Sequence, residues 1–264
     1  MREWLEAARR AEALGFSTFI AQDHFANQLA PMPALAAAAG VTTSIRLATL
    51  VLDNDFRHPA LLAKEAATLD MLSNGRFELG LGAGWLGADY AQTGIPLDPP
   101  PIRIARLRES IRIIKTLLAS ETPVSFAGEH YRIEELEPLP RPVQRPRPPI
   151  MLGGRQRAML RLAAQEAEIV SISLLGQGGA TFEQKVAWVR EAAGPRLRNV
   201  ELHVNISRLD LSGTPAEETP NALVGSVEHV VETLLKRRQE FGVTYYVIKA
   251  AAMDAFAPVI ARLP

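Results

Sequence analysis

The stretch Arg46–Trp85, RLATLVLDNDFRHPALLAKEAATLDMLSNGRFELGLGAGW, decides the fold class. With Ile45 before it, its opening residues up to Leu52 form an apolar run of strand length that ends in the polar pair Asp53–Asn54. Pro59 suits the first position of a helix, where a missing N–H costs nothing and the fixed φ is already helical. From there Leu62, Ala63, Ala66 and Leu69 share one face. Asn74–Gly75 is a turn signal, and Arg76–Gly82 reads as the next strand. A strand, a helix and a second strand in this order form a βαβ unit, which implies parallel strands with the helix packed on the sheet.

The same alternation extends in both directions. Upstream, Trp4, Ala7, Ala8, Ala11 and Leu14 fall on one helical face that Gly15 closes. A strand over Phe16–Ala21 follows and ends at Asp23–His24, and then comes an Ala-rich helix over Pro33–Ala39. Downstream, helices are predicted over Ile102–Ala119, Gln156–Gln165 and Phe182–Ala193. Strands are predicted over Pro149–Leu152, Glu168–Ser173, Val200–Leu209 and Thr244–Ala250. Ser226 caps a further helix that Gly242 ends, and a terminal helix closes the chain. Residues 94–149 break the rhythm with the Pro clusters Pro96–Pro101 and Pro138–Pro149. Between these, Val124–Phe126 and His130–Ile133 flank Gly128 as a hairpin would. This segment reads as an insertion within a single domain covering 1–264.

The expectation is an α/β fold of the TIM (β/α)8 type, with the insertion after the fourth strand. Seven barrel strands are counted, near residues 18, 48, 79, 150, 170, 204 and 247. The chain opens on a helix, as though the first barrel strand were absent. A start assigned too far downstream, or a shortened chain, would account for this. The alternative is an incomplete barrel that a partner completes, or one without activity, because open edges expose unpaired backbone.

Composition narrows the function. The chain has 264 residues, 47% of them hydrophobic, with formal net charge zero. It lacks the basic excess of a nucleic-acid binder, so no nucleic-acid partner is expected. With no cysteine it can form no disulfide, Cys-ligated zinc site, iron–sulfur cluster or thiol nucleophile. No stretch approaches the roughly 18 consecutive apolar residues of a membrane span, and the N-terminus lacks a signal peptide's apolar core. A soluble, cytoplasmic protein without a membrane partner is the expectation. His58, His130, His203 and His229 show no metal-ligand spacing, and no metal is expected.

In barrels of this type the chemistry sits at the C-terminal ends of the strands. Four groups of residues stand there. Asp23–His24 pairs a carboxylate with an imidazole able to move a proton, although a DH pair by itself also reads as a capped turn. Leu50–Val51–Leu52 leaves a strand as an apolar run that can support a flat ring or simply belong to the core. Gly80-Leu81-Gly82-Ala83-Gly84-Trp85 offers backbone without side chains for close approach to a ligand, and its spacing is not that of a dinucleotide fingerprint. Gly153–Gly154–Arg155–Gln156 lies between strand and helix, where free N–H groups, the helix dipole and an Arg favour a phosphate.

Several segments carry a family resemblance: AEALGFSTFIAQDHF, the 46–85 block, FAGEHYRI, PVQRPRPPIMLGG and the helix opening GSVEHV. On these the chain resembles the luciferase-like monooxygenase superfamily, and within it the coenzyme F420-dependent oxidoreductases. The resemblance covers nearly the whole chain in the same order. It implies an oxidoreductase that holds a flavin-like ring at the strand ends and acts on a small-molecule substrate. Asp23 and His24 match positions that contact the ring, with His24 the proton donor or acceptor and Asp23 beside it. The Leu50–Val51 bond matches a non-prolyl cis peptide that forms a bulge behind the ring. Gly82 and Ala83 would line the mouth, while Gly153, Gly154 and Gln156 would hold the cofactor phosphate. Arg103 or Arg106 is implied at the phosphate or tail. A homodimer through the helices after the early strands is also implied.

The resemblance has limits. F420-dependent sugar-phosphate dehydrogenases carry a Trp soon after the DH pair and a Glu after their G-x-G segment, where this chain has residues such as Gln28 and Trp85. The expected activity is hydride transfer between coenzyme F420 and a small organic substrate. The rival is an FMN-dependent monooxygenase using reduced flavin and oxygen. A third reading is a non-catalytic cofactor-binding protein with an incomplete barrel.

Overall fold

A computed structural model describes residues 1–174, 179–213 and 219–264. The chain divides into two compact units, one of residues 1–5 and 18–151, the other of 6–17 and 152–264. Helix α1 (Arg2–Ala13) begins in the first unit and continues in the second.

In the first unit, β1 (Thr18–Ala21), β2 (Arg46–Thr49) and β4 (Phe77–Gly82) are parallel neighbours in that order, and β3 (Leu52–Asp53) pairs with the end of β4. Phe19 lies opposite Leu47, and Leu47 opposite Phe77. Every residue of β4 is buried, as expected of a strand covered on both faces. Helix α2 (Pro31–Ala39) starts two residues before the expected Pro33, because Pro31 also suits a first helical position. Helix α3 (Pro59–Leu72) begins where Pro59 predicted, capped by the His58 ring, and buries Leu62, Ala63, Ala66 and Leu69.

Two internal ties hold this unit together. The Arg76 guanidinium gathers the carbonyls of Ser73, Ile45, Thr42 and Ala39. The fully buried Asp70 carboxylate accepts the backbone N–H groups of Val143 and Gln144, which anchors the chain as it returns from the insertion. That insertion holds α4 (Gly87–Thr93) at its border, the long α5 (Pro100–Ala119), and an antiparallel hairpin of β5 (Val124–Ala127) and β6 (Arg132–Leu136). Strand β7 (Ile150–Gly154) follows, and the boundary between the units falls within it.

The second unit continues from β7 through α6 (Arg157–Glu166), β8 (Ile169–Ile172), α7 (Phe182–Ala193) and β9 (Glu201–Asn205). Beyond these lie β10 (Arg208–Asp210), β11 (Ala222–Val224), α8 (Val227–Phe241), β12 (Val243–Val247) and α9 (Met253–Ile260). Its strand order is β7–β8–β9–β12, and β8–β9 and β9–β12 pair in parallel. Strands stand at all seven positions expected from the sequence. One predicted strand is divided: Val200–Leu209 ends at Asn205 as β9, and β10 pairs with β11 in a small separate sheet. Ile206, Leu223, Val230, Leu234, Phe256 and Val259 form a core cluster, with Phe16 packed against it. Among the described residues no helix is long and apolar enough to cross a membrane.

Candidate active site

The first unit brings together the ends of β1, the β2–β3 bulge, the end of β4 and α4. β1 is followed by Asp23 and His24, both partly buried. Asp23 makes a two-pronged ion pair with Arg57, at 2.6 and 3.0 Å, and its Oδ2 also accepts the Asp53 N–H at 3.0 Å. This carboxylate therefore ties β1 to the segment after β3. His24 takes the other path: its Nδ1 lies 2.7 Å from Asp89 Oδ2, and its ring meets Trp85 edge-on at 5.9 Å. His24 keeps 27% of its side-chain surface exposed, whereas Asp89 keeps 8%.

The Leu50–Val51 bond is cis, as the resemblance implied. It separates β2 from β3 where one continuous strand, Ile45–Leu52, was expected. Leu50 N–H still reaches the Ala21 carbonyl at 2.9 Å, so the bulge stays attached to β1. Leu50 is buried and Val51 half-buried.

The glycines at the end of β4 are required by packing inside the protein. A Cβ on Gly82 would sit 2.8 Å from Val51 Cγ2, so Gly82 makes room for the bulge. Gly84 has φ +74°, and a Cβ there would meet the Tyr90 hydroxyl at 1.8 Å and Asp53 Oδ2 at 2.5 Å. Their first need is protein packing. Ala83, between them, is half-buried.

Behind the strand ends lies a polar network that the sequence reading missed. Tyr90 lies with its hydroxyl 2.8 and 3.0 Å from the two Asp53 oxygens and 3.1 Å from Asp55 Oδ2. Burial pushes the Asp53 carboxyl up to about 6, against the hydrogen bonds from the Asp55 N–H and the Tyr90 hydroxyl. Burial and the same carboxylates push the Tyr90 phenol well above its ordinary range. Arg106 bridges Asp55 and Asp98, and these bonds hold its guanidinium firmly protonated. Arg103 donates to the carbonyls of Asp98, Ala83 and Gly84 and is nearly buried. Both arginines implied at the phosphate or tail are engaged here by protein acceptors, Arg103 by carbonyls and Arg106 by carboxylates. A cavity of about 430 Å³ adjoins the network, and Arg57, Arg106, His130 and Tyr131 are among its walls.

In the second unit, Gly153 and Gly154 end β7, and Gln156 is the N-cap residue of α6. The Gln156 side chain makes no cap hydrogen bond, which leaves the first-turn N–H groups of α6 to other acceptors. The turn is tied to β8 by the Ser173 N–H, which reaches the Gly154 carbonyl at 2.8 Å. Lys185, buried and donating to the Ser173 carbonyl, also escaped the sequence reading; burial and the Arg155 charge lower its pKa.

The model of the luciferase-like monooxygenase family matches residues 1–208. The chain belongs to that family. Its members are oxidoreductases, and their fold is the α/β barrel expected from the strand count. Within the family, an F420-dependent glucose-6-phosphate dehydrogenase of Amycolatopsis mediterranei (strain U-32) is 36% identical over 154 residues. Those residues are 54% of this chain and 45% of that protein, so the match spans less than half the length of that relative. The structure of the coenzyme F420-dependent tetrahydromethanopterin reductase of Methanopyrus kandleri superposes with a TM-score of 0.83 at 20% identity, covering 100% of this chain and 96% of that one. A long-chain alkane monooxygenase superposes with a TM-score of 0.83 at 15% identity, covering 98% of this chain and 83% of that one.

Proposed function

We propose that this luciferase-like family member is a coenzyme F420-dependent oxidoreductase that transfers a hydride between the deazaflavin and a small organic substrate. The observation that carries the reading is His24. It is a partly exposed imidazole at the C-terminal end of a parallel strand, held through one ring nitrogen while the other remains for a reacting group. The 36% identity to an F420-dependent enzyme supports the cofactor class.

The residues present fit such a cofactor. Leu50, Val51, Gly82 and Ala83, at the ends of β2 and β4, would lie against the face of a flat ring, with Val51 and Ala83 the two that are partly exposed. The β7–α6 turn, taken by itself, would offer a phosphate the backbone N–H groups that the Gln156 side chain leaves uncapped. When bound, the deazaflavin supplies a ring carbon that accepts or gives a hydride. The chain's own part is orientation and proton handling. Asp23, locked to Arg57 and the Asp53 N–H, sets where β1 ends and so where His24 stands. His24 then takes or returns the proton that balances the hydride. Trp85, 62% exposed beside His24, stands where sugar-phosphate enzymes of this branch carry a Glu. This favours a substrate other than a sugar phosphate.

The second reading, an FMN-dependent monooxygenase, is kept open by the equal structural likeness to the alkane monooxygenase. Both cofactors carry a ribityl-phosphate arm, so the anion site does not separate them. Fluorescence titration of the purified protein with F420 and FMN in parallel does. Tighter binding of F420 is expected, and tight binding of FMN with none of F420 would reverse the assignment.

A further inference from the structure

We propose that Asp89 is a positioning residue that holds His24 as its Nδ1–H tautomer, so that Nε2 is the atom presented to substrate as a base. The inference rests on the reading of His24 as the proton-handling group and adds what governs its chemistry.

Both oxygens of the Asp89 carboxylate are engaged by consecutive residues of one loop. Oδ2 faces His24 Nδ1 at 2.7 Å, and Oδ1 accepts the Phe25 N–H at 3.2 Å. Held at both ends, the carboxylate has a fixed plane. An ionised carboxylate is an acceptor only, so the nitrogen facing it must carry the proton in neutral His24. That leaves the lone pair on Nε2. Trp85 meets the ring edge-on at an interplanar angle of 89°, and the His24 backbone carbonyl accepts from the Gln28 side chain at 3.2 Å, which ties the main chain beneath the ring.

Asp89 itself is anchored. It lies in the first turn of α4, where a negative charge faces the positive end of the helix dipole, and it is only 5% exposed. A nearly buried carboxylate is costly unless it is hydrogen-bonded, and here both its partners come from the segment carrying His24.

The proton balance follows. If the substrate were a hydroxyl compound, loss of its C–H hydride to the cofactor would be balanced by transfer of its O–H proton to Nε2, giving a carbonyl and an imidazolium. In the reverse direction Nε2–H protonates the carbonyl oxygen as the hydride arrives. In Asp89→Asn the single amide oxygen stays on the Phe25 N–H and the NH2 faces Nδ1, which then accepts, so the proton moves to Nε2 and the base is removed.

The test is a long-range proton–nitrogen correlation spectrum of the full chain with labelled histidines, recorded at mildly alkaline pH without cofactor. The His24 signals are identified by their loss in His24→Gln. Native protein should show a protonated Nδ1 and a lone-pair Nε2, and Asp89→Asn should reverse the two. In the loaded enzyme the same variant should lower kcat on the order of 100-fold with KM little changed. A native His24 protonated on Nε2, or on both nitrogens, would overturn the proposal, and so would an unchanged tautomer in Asp89→Asn. The spectrum of the native protein needs no variant and no turnover, so a failure to bind F420 would be seen separately.

Discussion

Replacing Asp53 with Asn should flatten the pH dependence of this protein's stability. Burial, helped by the nearby Asp55 and Asp23 carboxylates, raises the Asp53 carboxyl from an ordinary 3.8 to about 6. The folded state therefore binds this proton more tightly than the unfolded chain does. The resulting stability is fully present below the unfolded value of 3.8 and is lost as the pH rises through about 6. At 1.36 kcal/mol per pKa unit, the gap between 3.8 and about 6 corresponds to about 3 kcal/mol. Urea unfolding of native protein and Asp53→Asn, on either side of that window, measures the difference. The native protein should lose about 3 kcal/mol more than the variant on passing from the acidic to the neutral side. Asn retains an oxygen for the Asp55 N–H that Asp53 caps at 3.0 Å, and any cost common to both pH values cancels in the comparison. Parallel pH profiles would refute the argument, because Asp53 would then titrate alike in both states.

Three further outcomes follow from the geometry. Thr49→Val should cost about 1–3 kcal/mol, read as a lower urea midpoint with an unchanged slope. The buried Thr49 hydroxyl accepts the Gly80 N–H at 2.8 Å and donates to its carbonyl at 2.9 Å, and valine satisfies neither. Arg76→Lys should lower the melting temperature by the equivalent of about 2 kcal/mol, since an ammonium cannot span the Ser73, Ile45, Thr42 and Ala39 carbonyls that the planar guanidinium reaches. His24→Ala should reduce turnover on the order of 100-fold while the melting temperature stays close to native; comparable losses of both would make His24 a structural group.

Much of the fold was legible in the residues. Pro59, Asn74–Gly75, Ser226 and Gly242 mark element ends by local chemistry, and the structure places boundaries at each of them. Where the reading fell short, the cause lies outside the local pattern. The apolar run Ile45–Leu52 reads as one strand because its residue types are uniform, and the peptide geometry at Leu50–Val51 divides it. Val200–Leu209 reads as one strand for the same reason, but after Asn205 the chain finds its pairing partner in Ala222–Val224. Helix α4 was missed because GADYAQT is short, opens on glycine and lacks an apolar stripe.

The sequence alone determined the class of the molecule. Alternating apolar periods of strand and helix leave few ways to bury both kinds of surface except a parallel sheet with helices against it. It also put Asp23–His24 and the glycines of β4 at strand ends, since both follow directly from where the strands stop. What only the tertiary structure decided is how those residues are used. His24 is hydrogen-bonded to Asp89, 65 residues away, and Asp53 to Tyr90, 37 residues away. Gly82 and Gly84 are glycines because Val51, Asp53 and Tyr90 pass close to them. Arg103 and Arg106, equally available by type, are taken up by carbonyls and carboxylates. A sequence pattern records periodicity within one element, whereas hydrogen bonds and steric contacts between elements depend on distances that exist only once the chain is folded.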